Sequence, residues 1–405
     1  MVNIAVLGYG TVGSGVVEVI NTNLESINKK AGREIGIKYV LDLRDFPGDP
    51  VEKILVHDYD TILNDPEVRI VVEVMGGVEP AYTFVKQALL AGKSVCTSNK
   101  ELVAKHGPEL TEIAKMNHIN FLYEASVGGG IPIIRPLNTS LTADEILEIT
   151  AILNGTTNYI LTKMTQEGIS FDEALKNAQA LGYAERNPEA DIEGYDACRK
   201  IAILSSLAYG NHVDFEDIYT EGISKITPAD IEYAGKLNYA IKLLASANRD
   251  GEKFYAMVAP FLVPVTHPLY PVNNVFNAIF VKGNVLGDVM FYGSGAGKLP
   301  TASAVVSDVV DAVKHLHCNI MTFWSSKKLE LTQVDRDQRK FFVRVLGNLA
   351  DRQDELEKLF DIVKYVEADG VHGEFGFVTQ KMSEEEFNGK ISSLKGFISR
   401  IRMKD

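Results

Sequence analysis

The sequence has three cysteines in 405 residues, Cys96, Cys198 and Cys318, far apart and without metal-ligand spacing. Such an odd, scattered set argues against a disulfide framework and suits a reducing compartment. No apolar run approaches the ~20 residues needed to cross a bilayer. The opening MVNIAVLGYG lacks a basic region and a small-residue cleavage site, so no signal peptide and a cytoplasmic location are expected. Positive charge is the scarcer sign: 41 Lys and Arg against 54 Asp and Glu leave a formal net charge of −13. That balance argues against nucleic acid as a partner, as the missing apolar runs argue against a membrane. What remains is ordinary globular composition, 46% hydrophobic and 23% charged, in a chain too long for one simple core. Two or three domains are expected.

Residues 2–7, VNIAVL, form a β-prone apolar run that leads directly into GYGTVG. Gly8, Gly10 and Gly13 have the G-x-G-x-x-G spacing: one for the tight turn, one for close approach to a pyrophosphate, one for helix–strand packing. The helix expected from Thr11 onward aims its N-terminal N–H groups at the phosphates. Further strands are expected at 35–41, 68–75, 93–98 and 119–125, with helices at 80–92 and 101–117 between them. This alternation predicts an α/β fold with a Rossmann-type, doubly wound parallel sheet that binds a dinucleotide. At the end of the second strand, Asp42 suits the ribose 2′-hydroxyl of NAD, whereas Arg44 suits the 2′-phosphate of NADP. DLRD can equally form its own salt links, so the choice between NAD and NADP stays open.

Beyond the fingerprint, Lys100 follows a strand at the edge where ligands collect in open α/β sheets. A helix start disfavours a cation, which makes this lysine a functional candidate. In YEASVGGGIPI (123–133), Glu124 and exposed glycine carbonyls can together bind a hard cation through oxygen. Equally, Glu124 can bond backbone N–H groups in a glycine-rich bend. In DIEGYDACRKI (191–201), Asp196 and Lys200 share one helical face. Below them both helical stripes turn apolar, which places the pair at the rim of a core. It reads as either a structural ion pair or a proton-transfer pair whose lysine is pulled in opposite directions by burial and by a carboxylate. Gly182, Glu185 and Asp191 lie nearby in a loop-like stretch. So many carboxylates beside a nicotinamide suggest a small, cationic, amino-acid-like substrate. His315 and His317, two apart on an expected helix, make a poor metal pair.

Taken together and in this order, GYGTVG, TSNKE, EASVGGGIPIIRPL, ILNGTTNYIL, LGYAE, DIEGYDACRKIAIL and GSGAGKLPTASAVVSD resemble homoserine dehydrogenases over residues 1–320. The resemblance implies reversible, NAD(P)-dependent interconversion of L-homoserine and L-aspartate 4-semialdehyde, on the way to threonine, isoleucine and methionine. It implies that Lys200 is the catalytic lysine, with Lys100 and Asp196 beside it. Glu185, Asp191, Asp196, Gly155 and Thr156 would bind substrate. Gly8, Gly10, Thr11, Val12, Gly13, Asp42, Arg44, Met75, Ser98, Lys100, Gly182 and Gly297 would line the cofactor. Glu124 with the carbonyls of Val127, Gly129 and Ile131 would hold a sodium ion.

The resemblance also divides the chain. Residues 1–135 with a returning segment 297–325 would bind the dinucleotide. Residues 136–296 would form an α+β substrate and dimerisation domain, with a homodimer or higher homo-oligomer expected. Residues 338–405 read as strand, helix, strand, strand, helix, strand, a ferredoxin-like order that resembles the ACT regulatory domain and its amino-acid effectors such as threonine. The usual Pro-Gly turn after its first strand is replaced by LGNLAD. Two rival readings accompany this one: a semialdehyde dehydrogenase with Cys96 as nucleophile, and a non-catalytic NAD-sensing regulator.

Overall fold

The computed structural model describes residues 1–404. They form two compact units, one of Met1–Glu145, Ala202–Glu216 and Phe291–Leu329, the other of Ile146–Ile201, Asp217–Met290 and Glu330 onward.

The first unit is built on six strands: β1 (Val2–Leu7), β2 (Ile35–Leu41), β3 (Leu55–Val56), β4 (Val68–Glu73), β5 (Ser94–Thr97) and β6 (Phe121–Leu122). Their spatial order is β3-β2-β1-β4-β5-β6 and all pairings are parallel. This is the order of a dinucleotide-binding sheet, whose topological switch lies between β1 and β4. Being covered on both faces, β1 and β4 are almost continuously apolar and buried. The Lys298–Lys314 helix returns to this unit and lies on the Thr11–Thr22 helix, where a Cβ at Gly15 would come within 2.9 Å of the Lys298 carbonyl.

Three expected strands are shorter in the structure, the 93–98 strand by one residue at each end. The 68–75 strand ends at Glu73, where the buried carboxylate takes over as acceptor of the Met75 N–H. The 119–125 strand is only Phe121–Leu122, because the Glu124 N–H is drawn to the Asp308 carboxylate and the chain winds into a 3-10 turn. The helix expected to carry both His315 and His317 stops at Lys314; His315 caps it and His317 has φ +64°.

The second unit has one long mixed sheet. Its strands run in the order Gly287–Ser294, Phe276–Gly283, Ile146–Ile152, Tyr239–Asp250, Lys253–Pro264, Phe397–Met403, Phe341–Leu346, Glu374–Thr379 and Ile362–Val366. The last four belong to the tail. With the Leu349–Leu359 and Glu384–Ile391 helices they make the expected βαββαβ order, antiparallel throughout. Phe341, Phe375, Phe377, Phe387 and Leu356 fill the tail's own core. Its final strand also pairs in parallel with Lys253–Pro264, through Phe261–Arg402 and Leu262–Met403.

Buried ion pairs tie the tail to the rest of this unit. Arg344 bonds Asp230 Oδ1 at 2.7 Å and Glu374 Oε1 at 2.8 Å. Arg402 bonds Glu384 and, at 2.6 Å, Glu221.

Candidate active site

The glycine loop sits where the switch point places it. Gly8 has φ +97°, and a Cβ on Gly13 would fall 1.9 Å from the Gly8 carbonyl oxygen, so helix and loop close only on glycine. At Gly10 a Cβ would meet nothing within 4 Å. Gly10 also caps the helix without any side-chain hydrogen bond. The first N–H groups at Thr11 and Val12 are therefore not claimed by a capping side chain, as an anion site at a helix N-terminus requires.

At the end of β2, Asp42 Oδ2 accepts the Tyr9 N–H at 2.8 Å. Arg44 grips the same carboxylate with Nε and Nη2, each at 2.9 Å. This clamp holds the Asp42 carboxyl far below its usual range. Asp42 thus fixes the glycine loop, and Arg44, largely exposed, stands as a cation beside it.

Past β4 and β5, a second polar network fixes the ground around Met75, Ser98 and Lys100. Fully buried Glu73 accepts Thr97 Oγ1 at 2.6 Å and the Met75 N–H at 2.8 Å. Burial pushes its carboxyl up, and those donors pull it back. Asn99 caps the Lys100–Met116 helix through Leu102 N–H and donates to the Gly77 carbonyl at 2.6 Å. Lys100 is the first helical residue and half-buried. Sequence reasoning missed Glu73 and Asn99. Their signals were a carboxylate ending an otherwise apolar strand and an asparagine just before a helix start.

Farther along this unit, Glu124 accepts backbone N–H groups from Ile133 (2.6 Å), Ile134 (2.9 Å) and Arg135 (2.7 Å). It caps the short Ile134–Thr139 helix from within the core. Arg135 in turn bonds Asp308 at 2.7 Å, whose carboxyl burial pushes up to about 8, with the Glu124 charge adding to the rise. Gly129 has φ +58° in the loop that carries Val127 and Ile131, and a Cβ on Gly128 would fall 2.3 Å from the Ile131 oxygen. Gly297, at φ +118°, opens the returning helix. Cys96 lies inside β5 with no exposure, and burial, then Asp308 and Asp311, push its thiol well up. A thiolate nucleophile is excluded there.

In the second unit the acidic stretch closes around Lys200. Asp196 and Lys200 open the Tyr195–Tyr209 helix and are 5% and 9% exposed. Lys200 Nζ donates to Asp196 Oδ2 at 2.7 Å and to the Leu153 carbonyl at 2.8 Å. An ammonium has three N–H donors, so one is left for a ligand. Asn154, absent from the sequence-based candidates, donates to Asp191 Oδ1 at 2.7 Å and to Asp196 Oδ2 at 3.0 Å. Gly155, next in the chain, is close-packed: a Cβ there would lie 2.8 Å from the Val275 oxygen. Thr156 Oγ1 donates to the Tyr183 carbonyl at 2.6 Å, fastening the turn that contains Gly182, whose φ is +75°.

Glu185 is not drawn into this cluster; its carboxylate stands exposed on the following loop. Lys200, Asp196 and Asp191 are therefore brought together through Asn154, with Thr156 alongside. Among the described residues no group of three His, Cys, Asp or Glu side chains forms a metal cluster, and no helix is long and apolar enough to cross a membrane.

A parallel sheet in this strand order, with its glycine loop and an uncapped helix start, and a buried lysine–carboxylate cluster define a nicotinamide-dependent dehydrogenase. Family models agree: one described as the NAD-binding domain of homoserine dehydrogenase matches residues 8–124, and one described as homoserine dehydrogenase matches residues 132–310. The homoserine dehydrogenase of Synechocystis sp. is 48% identical over 322 residues, 77% of this chain and 73% of that protein. The crystal structure of the Thiobacillus denitrificans homoserine dehydrogenase has a TM-score of 0.91 and 36% identity, covering 100% of this chain and 98% of that one. A hyperthermophilic archaeal homoserine dehydrogenase in complex with NADPH has a TM-score of 0.66 and 30% identity, over 77% of this chain and 97% of that one. The chain belongs to the homoserine dehydrogenase family.

Proposed function

We propose that the chain interconverts L-homoserine and L-aspartate 4-semialdehyde with NAD or NADP in the cytoplasm, as a step of threonine, isoleucine and methionine synthesis. The observation that supports this best is the Lys200 ammonium, held on two sides by Asp196 and the Leu153 carbonyl and open on the third. Bound NAD(P) supplies the hydride acceptor or donor. Lys200 supplies the proton: as an ammonium it donates to the oxygen that forms at C4 in reduction, and as an amine it takes the C4 hydroxyl proton in oxidation. Asp191 and Glu185 suit the substrate's α-ammonium, while Gly155 and Thr156 offer a helix N-terminus to its carboxylate. Lys100, at the start of its helix, is the other lysine candidate for the proton-transfer role.

The remaining assignments belong to this reading. The loop carbonyls of Val127, Gly129 and Ile131 with the Glu124 carboxylate would give an all-oxygen donor set, which suits a sodium ion. The tail's βαββαβ fold suits an ACT-like module that binds an amino-acid effector such as threonine. The edge strand Gly287–Ser294 exposes Met290 and Tyr292, an apolar margin suited to pairing in a homodimer.

The test is homoserine oxidation with NAD+ and NADP+ side by side, with and without threonine. Nicotinamide reduction with either cofactor is the expected result. Tight dinucleotide binding without any reduction would overturn the proposal and favour an NAD-sensing regulator.

A further inference from the structure

Asn154 has a double attachment that a helix cap alone does not need. It follows the Ile146–Ile152 strand by two residues and is the N-cap of the Gly155–Glu167 helix. Its Oδ1 accepts the Thr157 N–H at 2.9 Å and the Thr157 hydroxyl at 3.1 Å. That fixes the amide plane, because Oδ1 must face the helix. Both Nδ2 hydrogens are then turned the other way, one to Asp191 at 2.7 Å and one to Asp196 at 3.0 Å. The side chain is only 6% exposed. Its backbone neighbour Leu153 holds the Lys200 ammonium through its carbonyl. A two-residue stretch therefore grips the lysine with one group and both carboxylates with another.

We propose that Asn154 is the positioning residue of the substrate site: its amide spaces Asp191 and Asp196 and thereby aims the open N–H of Lys200. This rests on the homoserine reading above. Two carboxylates this near one another repel, and a neutral double donor holds them at a fixed spacing without adding charge. Asp196 Oδ2 receives Lys200 and Asn154 together, so its rotation is locked from both sides. Without the amide, Asp196 and Asp191 each lose the hydrogen bond that ties them to the strand end.

Serine and aspartate separate this role from capping, because asparagine, aspartate and serine cap helices about equally well. Asn154→Ser keeps a capping oxygen but cannot reach the carboxylates. Asn154→Asp also keeps the cap but sets a third carboxylate against the two. The measurement is kcat and KM for homoserine and for the dinucleotide, with Tm, for both variants beside wild type. The expected result is a rise in homoserine KM and a fall in kcat that together lower kcat/KM by about tenfold to a hundredfold in the serine variant. The loss is larger in the aspartate variant, whose buried third carboxylate also lowers Tm, while the dinucleotide KM stays near wild type in both. A capping role alone predicts all three proteins alike in homoserine kinetics, and near-normal homoserine kinetics in both variants would overturn the proposal. Failure of both variants to fold would overturn it too, by assigning the bridge to the fold. An inactive wild type would instead bring down the homoserine reading itself.

Discussion

The Lys200 ammonium donates across 2.8 Å to the carbonyl of Leu153, joining the second turn of one helix to the end of a strand 47 residues earlier in the chain. The arrangement fixes where its third proton points. Replacing Lys200 by methionine keeps most of the volume and removes every proton. Turnover with homoserine is expected to fall by about 10²–10⁴-fold, the usual worth of a general acid–base group. The dinucleotide dissociation constant, read by titration of nicotinamide fluorescence, stays near the wild-type value.

The glycine loop separates packing from binding. Gly10→Ala places its Cβ in open space, so the fold and Tm survive. The methyl group then stands where the pyrophosphate approaches, and dinucleotide affinity drops by more than about tenfold, the cost of one disturbed charge-assisted hydrogen bond. Gly13→Ala meets the Gly8 carbonyl 1.9 Å away and lowers Tm as well as affinity. Thermal unfolding and equilibrium dialysis of the pair distinguish the two effects.

Lys242 gives the second unit a dependence on pH. It is 2% exposed and bonds only neutral acceptors: Val272 O at 2.5 Å, Asn273 Oδ1 at 2.9 Å and Asn158 Oδ1 at 3.2 Å. Burial lowers it to about 8 from 10.5. Between these values the unfolded chain binds more protons at this site than the folded chain, so this residue's contribution to stability rises as pH climbs from about 8 to about 10.5. Below pH 8 the folded protein carries the full cost of the buried charge. The Tm difference between wild type and Lys242→Met, followed from pH 7 to 10, is expected to move in favour of the wild type.

Arg344 is the test of the tail's ionic anchor. Asp230, 1% exposed, depends on it for a charged partner, and also closes the capping box with Thr227 at the head of the Pro228–Leu237 helix. Arg344→Ala strands a buried carboxylate, which costs about 3–5 kcal/mol. Urea unfolding should register that loss, while Lys364→Ala at an exposed position of the tail changes far less.

Much of this was legible in the sequence because it follows from local rules. The alternating runs, the glycine spacing and the four-residue step from Asp196 to Lys200 each have one short-range physical cause, and the parallel sheet, the loop and the ion pair lie where those rules put them. What was not legible depends on contacts between distant segments. Asn154 reads locally as an N-cap, and only the fold brings Asp191 and Asp196, 37 and 42 residues away, to its other side. The Leu153 carbonyl is invisible for the same reason, since any residue supplies one. Glu124 shows the converse: its two sequence readings differ in what the carboxylate bonds, and three amides from Ile133, Ile134 and Arg135 gather on it.

The strand Phe397–Met403 serves two neighbours, Phe341–Leu346 on one side and Lys253–Pro264 on the other. The tail is therefore stitched into the sheet rather than hung from it. Cutting the chain after Leu329 would not trim an accessory; it would strip the cover from Phe261 and Leu262 and leave a raw β margin ready to recruit another chain. Shortened versions of this protein are expected to clump before they reveal whether the catalytic part works alone.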